Sequence, residues 1–380
     1  MDHQEELVEV VDEHPKVRRS GSSALRPPLH ATRSRGCRVE RVPLYGPEFI
    51  RPRLRVRHQR PRVLMTTFDA AWAARREGHL DVGDGQRIWW CEFGAADGIP
   101  LLVVHGGPGG GSVPAMAAPY DPDVFRIVMF DQRGCGRSVP HASDPGVSLA
   151  TNTTPALVSD MEHLREDRGI FDWIVSGGSW GATLALAYTC RHPHRVRAIL
   201  LRSITTYSSA ELRWVYVAGA NHLLPEAWDS FAGMRDRANL IERYRHDLEG
   251  TDDRRRAEAA LEWCRWELAG MRAAQGSEVY SLFMQPRFSV AFSRISAHYA
   301  AHQGFIDHDD LWAQVPTLSD IPATFIQGRF DLCTPPVTAW RLHRAWSGST
   351  LHLLEDEGHR LSDVANLLRA TLQRYASMTE

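Results

Sequence analysis

The sequence lacks the marks of several protein classes. Its six cysteines, Cys37, Cys91, Cys135, Cys190, Cys264 and Cys333, form no CxxC pair and none has metal-ligand spacing, so no motif-type metal or dithiol site is expected. Scattered cysteines in a large chain fit a reducing compartment. No apolar run is long enough to span a bilayer. The amino terminus is acidic, then basic, without the apolar segment of a signal peptide. Arg18-Arg19 is followed by a polar, Pro-rich stretch from Ser20 to Arg35, which excludes a twin-arginine signal. A cytoplasmic location without membrane partners follows. The net charge of −2 gives no global reason to expect nucleic acid. Internal repeats are also missing.

What is present is enough for a sizeable core, with 43% hydrophobic residues in 380. The length suggests one large domain plus an insertion or second module. Residues 1 to about 64 hold about fourteen Lys and Arg, few aromatics and no apolar period. Such a segment cannot bury enough surface to offset its ordering entropy. It reads as a basic arm or, as the composition favours, an extension that stays disordered, with Met65 as an alternative initiator. The division expected is 1–67 as this extension, 68–205 and 313–380 as an α/β core, and 206–312 as a helical cap.

From Phe68 onward, apolar strand-like runs alternate with helical stretches, which implies a mostly parallel sheet flanked by helices. Arg87 to Phe93 reads as an edge strand. Further strands are expected at 100–104, 125–130, 173–176, 196–201, 324–327 and 350–354. Helices are expected at 155–167, from 182, and at 362–376. Between Thr206 and Trp312 the strand signal disappears. An insertion there would sit over the carboxyl ends of the strands, where open α/β sheets bind ligands.

The strongest chemical signal is Gly177-Gly178-Ser179-Trp180-Gly181, with an apolar strand before it and a helical run after it. That context turns a common pattern into a nucleophile elbow, where a sharp turn lifts the serine hydroxyl clear of the sheet. A serine needs a base. Asp331 and His359 follow in the order that this fold requires, each on a loop just past an expected strand. His359 would take the Ser179 proton, and Asp331 would hold the imidazole tautomer. His105, His343 and His352 fit worse, and Asp356 and Glu357 lie too close in sequence to His359 to face it easily. His105-Gly-Gly-Pro-Gly-Gly-Gly111 follows a buried strand. An amide of Gly106 or Gly107 with that of Trp180 would form an oxyanion hole. A phosphate loop is the rival reading, but no G-K-[ST] follows. A serine at the elbow excludes dehalogenase and epoxide-hydrolase chemistry, which need an acid there. The complete Ser, Asp and His set argues against a silent binding protein.

Several segments together resemble the prolyl aminopeptidases, or proline iminopeptidases. They are His105-Gly-Gly-Pro-Gly-Gly, Phe130-Asp-Gln-Arg-Gly-Cys-Gly-Arg-Ser138, the elbow with Thr-Leu-Ala-Leu-Ala-Tyr188, Gly328-Arg-Phe-Asp331 and Gly358-His359. The likeness runs from about Asp81 to Tyr375. It implies an α/β-hydrolase fold and a serine exopeptidase that removes amino-terminal proline, without metal or other cofactor. A related esterase or amidase acting on small substrates without a free amine is the alternative. The partner implied is a peptide or a small amide or ester, and a homo-oligomer is left open.

Trp263-Cys-Arg-Trp266-Glu267 is similar to the family's Trp-x-x-Trp-Glu element, whose Glu helps hold the substrate amine. A partly desolvated carboxylate beside a cationic amine suits an exopeptidase. The resemblance thus implies substrate-binding roles for Glu267, Trp263, Tyr216 and Arg202. Three positions depart from the family pattern. Ser296 stands where a second amine-binding Glu is usual, and Ala300 and Thr205 stand where pocket Phe residues are usual. One lost carboxylate would cost about 1–3 kcal/mol in amine binding. Two lost rings imply a roomier pocket, less selective for proline.

Overall fold

The computed structural model describes residues 62–233, 239–362 and 364–378. The expectation for residues 1–61 lies outside them. Helix α1, Arg62–Ala73, begins ahead of Phe68, where order was expected to start.

Strands β1 (Arg76–Asp81), β2 (Arg87–Gly94), β3 (Ile99–Val104) and β4 (Phe125–Phe130) come first, then α2 (Thr154–Asp167), β5 (Trp173–Gly178), α3 (Trp180–Arg191) and β6 (Val196–Arg202). Among the described residues seven α-helices follow. They are α4 (Ser209–Tyr216), α5 (Pro225–Ala232), α6 (Leu240–Glu249), α7 (Asp253–Gly270), α8 (Glu278–Phe283), α9 (Pro286–Ala301) and α10 (His308–Gln314). The chain closes with β7 (Ala323–Gly328), α11 (Val337–Ala345), β8 (Ser349–Leu354) and α12 (Ala365–Ser377).

The eight strands form one sheet in the order β1-β2-β4-β3-β5-β6-β7-β8. β2 runs antiparallel to both β1 and β4, and the remaining pairs are parallel. Arg87–Phe93 is therefore not the edge. β1 covers it, and the polar run Arg76-Glu-Gly-His-Leu-Asp81 gave no apolar signal of a strand. The last helix starts at Ala365 rather than at residue 362.

Alternation decides which layer each strand residue joins, because successive side chains point to opposite faces. Leu102, Val104, Val175, Ile199 and Leu201 pack on one face. Leu101, Val103, Ile174, Leu200 and Ile326 pack on the other, with Leu368 and Tyr375 of α12. Burial on both faces explains the continuous apolar runs of the central strands.

The helices between β6 and β7 have an aromatic centre of their own. Phe231 stacks on Tyr244 at 4.6 Å and on Trp266 at 5.3 Å, and Trp263 lies edge-on to Tyr244 at 5.3 Å. Such rings dominate core energetics where they pack offset or edge to face. Helix α9 ties this layer to the sheet. Tyr299 Oη donates to Asn152 Oδ1 at 2.8 Å, and Ser296 Oγ donates to the Pro108 carbonyl at 3.2 Å. Among the described residues no helix is long and apolar enough to cross a membrane.

Candidate active site

Parallel strands with helices on both faces leave their carboxyl ends open, and the chemistry-bearing loops collect there. β5 ends at Gly178 and α3 begins at Trp180, so Ser179 alone makes the turn. It pays in strain, with φ 56° and ψ −129°. Non-glycine residues hold such backbone only where the surroundings over-determine it. The two flanking glycines supply that fit. A Cβ at Gly177 would lie 2.2 Å from the Gly181 carbonyl oxygen, and one at Gly181 would lie 2.4 Å from the Val104 carbonyl oxygen. Strand, elbow and helix therefore pack backbone against backbone.

Asp331 lies three residues past β7, and His359 lies in the loop after β8. His359 Nδ1 is 3.0 Å from each carboxylate oxygen of Asp331. The carboxylate also accepts from the Thr334 amide at 2.8 Å, the Thr334 hydroxyl at 2.6 Å, the Cys333 amide at 3.0 Å and Gln327 Nε2 at 3.2 Å. Burial alone would raise the Asp331 carboxyl. The His359 charge, the bond to it and the Thr334 donors outweigh that and hold it below the usual range. Burial likewise works to lower His359, but Asp331 and more weakly Glu267 raise it above the ordinary histidine value.

Ser179 and His359 line one cavity of about 490 Å³ with Gly106, Gly107, Arg202 and Glu267. Among the described residues no hydrogen bond joins Ser179 Oγ to His359, a gap common in catalytic pairs before substrate binds. Gly106 sits close to the nucleophile, since a Cβ there would lie 3.3 Å from Ser179 Cβ. Trp180 is the first residue of α3, so its N–H has no partner within the helix.

The Asp-Gln-Arg segment after β4 locks this arrangement, a role that the sequence reading did not assign. Gln132 donates through Nε2 to the His105 carbonyl at 2.9 Å and accepts from Trp180 Nε1 at 2.9 Å. Its amide donates to His105 Nε2 at 3.0 Å. Asp131 accepts from the Ser112 amide at 2.6 Å and from Arg137 Nε at 2.8 Å, which fixes the far end of the glycine loop. Arg133 makes a bidentate pair with buried Asp160 of α2.

Glu267 projects from α7 into the cavity, and Tyr216 Oη donates to its Oε1 at 2.6 Å. Burial pushes this carboxyl up, against the opposing pull of the Tyr216 bond and of His359. A smaller cavity of about 40 Å³ opens beside Ser179, walled by Thr205, Tyr207, Tyr216 and Glu267. The expectation was a roomy pocket; the cavity beside Ser179 is small, and Tyr207 and Tyr216 form part of its wall. Thr205 lines this cavity, whereas Ser296 and Ala300 are buried in α9 and line neither cavity. Trp263 is also corrected. It is fully buried behind Tyr216, at 4.9 Å between ring centroids, so it supports that tyrosine rather than touching a ligand.

Among the described residues one group of ligand-type atoms lies close enough to hold a metal: Asp331, Cys333 and His359, within 4.8 Å of one another. Asp331 and His359 already bond each other there, and burial pushes the Cys333 thiol well up, which disfavours the thiolate that a metal needs.

Comparison with known proteins agrees with this geometry. Residues 99–365 match the alpha/beta hydrolase fold family. A proline iminopeptidase of Arabidopsis thaliana is 39% identical over 291 residues, covering 75% of this chain and 75% of that one. One from Xylella fastidiosa (strain Temecula1 / ATCC 700964) is 39% identical over 294 residues, covering 76% of this chain and 92% of its own. Among solved structures, a proline iminopeptidase of Mycobacterium smegmatis superposes with a TM-score of 0.55 at 18% identity, over 80% of this chain and all of that one. An esterase from Exiguobacterium antarcticum superposes equally well, with a TM-score of 0.55 at 18% identity over 79% and 98% of the two chains. These two likenesses speak for the fold alone. The sequence identities, carried over three quarters of the chain, decide the family: the chain belongs to the proline iminopeptidases of the α/β-hydrolase fold.

Proposed function

We propose that the protein is a prolyl aminopeptidase, releasing an amino-terminal residue from peptides through an acyl-enzyme on Ser179. The observation that carries this reading is the shared cavity of Ser179 and Glu267. Glu267 is a carboxylate with one hydrogen-bond donor and no cationic side chain bonded to it among the described residues. A substrate ammonium supplies the missing countercharge. An ester without an amine would leave that group uncompensated, so the arrangement favours the peptidase over the esterase alternative.

In the proposed reaction Ser179 Oγ attacks the carbonyl carbon of the first residue while His359 takes its proton. The carbonyl oxygen becomes an oxyanion facing the amides of Trp180 and of Gly106 or Gly107. Collapse breaks the C–N bond, and His359 returns the proton to the leaving amine. Water then attacks the acyl ester, with His359 again as base, and Ser179 is freed. Asp331 stabilises the imidazolium formed in each half. Arg202 lines the same cavity beside the elbow, where it can meet the substrate backbone. The 40 Å³ cavity suits one compact side chain such as the proline ring. A cytoplasmic location belongs to the same proposal, supported by the free thiols of all five described cysteines.

The test compares Pro-, Ala- and N-acetyl-Pro-arylamides with short acyl esters. Cleavage of Pro-arylamide that disappears on N-acetylation and in Ser179→Ala supports the reading. Equal cleavage of the acetylated substrate overturns it.

A further inference from the structure

A second cavity, of about 440 Å³, lies apart from Ser179 between loop 145–150 and helices α6, α7 and α9. Arg245, Arg256 and Arg294 converge on it with His298 and His302, and Glu249 is the one carboxylate among its described lining residues. The three arginines are partnered unequally within the fold. Arg245 bonds Glu249 and Glu242, each at 2.9 Å, and Arg256 bonds Asp253, which is largely exposed. Among the described residues Arg294 has no carboxylate partner. Its terminal nitrogens donate to the Ala142 and Val147 carbonyls, and its Nε is buried with no hydrogen-bond partner. Burial first, and neighbouring Arg256 second, weaken its hold on its proton. Placing two guanidinium groups side by side in partly desolvated space is costly unless an anion joins them. His298 adds no charge at neutral pH, because burial pushes it down to about 4.

We propose that this cavity is a binding site for a small phosphate-bearing molecule, held by Arg294 and Arg256 with Arg245 at the rim. Guanidinium forks match phosphate oxygens in geometry and charge. The cavity is larger than one phosphate, and Leu149 and Leu248 line it beside the arginines. A phosphate monoester can therefore lay its organic part on them. The position couples this site to the cap. Arg294 already bridges α9 to loop 142–147, and the next two residues of α9, Ile295 and Ser296, contact the glycine loop at Gly109 and Pro108.

The test is calorimetric titration of the full chain with inorganic phosphate and with glycerol 3-phosphate, against sodium chloride at equal ionic strength. Saturable one-site binding of either phosphate, without a matching effect of chloride, is expected. Tighter binding of glycerol 3-phosphate would identify the ligand as a monoester, and equal binding would identify it as free phosphate. Arg256→Gln should weaken binding by about tenfold, the usual scale for one charge-assisted contact. Glu249→Gln should tighten it, since it removes the one opposing charge among the described lining residues and frees one of the two ion pairs of Arg245, that to Glu242 remaining. Both variants should keep the melting temperature of the unliganded protein within a few degrees, because Glu249→Gln removes a partly exposed ion pair and Arg256→Gln removes one such pair and one hydrogen bond to the Gly250 carbonyl. Absence of saturable heat at millimolar phosphate overturns the proposal. So does an affinity that neither variant moves.

Discussion

His359 Nδ1 stands 3.0 Å from both oxygens of Asp331, and the pair holds its charges against burial. Burial would favour neutral forms of both, yet Asp331 is held below 3.8 and His359 above 6.5. The base works only when His359 is neutral. The acid limb of kcat/KM should therefore lie above pH 6.5. Asp331→Asn removes the charge that raises it, so the limb should move to lower pH. The same change should cut kcat by about 10³–10⁴-fold through the wrong tautomer. A pH–rate profile of both proteins checks this, and an unmoved limb counts against the pair. The linkage to stability has opposite signs for the two groups. His359, raised on folding, contributes stability below pH 6.5 that fades as pH rises through its folded value. Asp331, lowered on folding, contributes above pH 3.8 and loses that as pH falls through its folded value.

The bond from Tyr216 to Glu267 sets a second prediction. Glu267→Gln should raise KM for free-amine substrates by about tenfold or more, with a smaller change in kcat, since it removes a charged partner from a desolvated amine. Tyr216→Phe should act in the same direction but depend on pH. Losing that donor lets burial push Glu267 further up, so amine binding should weaken more at low pH than at high pH. The variation of KM with pH for Pro-arylamide measures it, and a constant KM in Glu267→Gln would take Glu267 out of the site.

The chemistry that depends on chain order was legible before the fold. An apolar strand running into Gly-Gly-Ser-Trp-Gly signals the elbow, Asp331 follows the buried strand β7, and His359 follows the half-buried strand β8. What the sequence concealed was lateral. β1 carries no apolar period because it lies at the sheet's edge with one neighbour. Trp263 and Glu267 are one helical turn apart on α7, yet the first is a pillar and the second faces the cavity. Sequence spacing puts them on one face without telling depth. Tyr207 sits at positive φ, 62°, and lines the small cavity from a loop that no periodicity describes. Ser296 reads as a lost carboxylate in sequence. In the fold its hydroxyl serves the Pro108 carbonyl.

Gly181 tests the packing beneath the elbow. An added Cβ would lie 2.4 Å from the Val104 carbonyl and 2.8 Å from that of His105, both backbone atoms that cannot swing away. Gly181→Ala should therefore push α3 from β3 and lower stability by about 1–3 kcal/mol, as overpacking does. Because His105 leads directly into Gly106 and Gly107, kcat should fall with it. Thermal melting and single-turnover kinetics on one preparation would show both losses. Retained melting temperature together with full kcat would mean that the close approach is not needed.

Gln132 supplies the last test, since it touches no reacting atom in the proposed reaction yet joins both halves of the oxyanion hole proposed there. Its side-chain nitrogen clamps the His105 carbonyl, and its oxygen holds the indole of Trp180, whose backbone N–H is the proposed oxyanion donor. Gln132→Met keeps the length and removes both bonds. The buried indole N–H then loses its acceptor, at a cost of about 1–3 kcal/mol. If the hole depends on this brace, kcat should fall by about 10–100-fold, the scale seen when outer supports of a site are cut. KM should change little, because Glu267 and the small cavity are untouched. Gln132→Glu separates bracing from mere filling. It keeps the acceptor for Trp180 but loses the donor to His105, so its kcat should lie between the wild type and Gln132→Met. A Gln132→Met enzyme with a raised KM and normal kcat would place this residue in substrate binding instead.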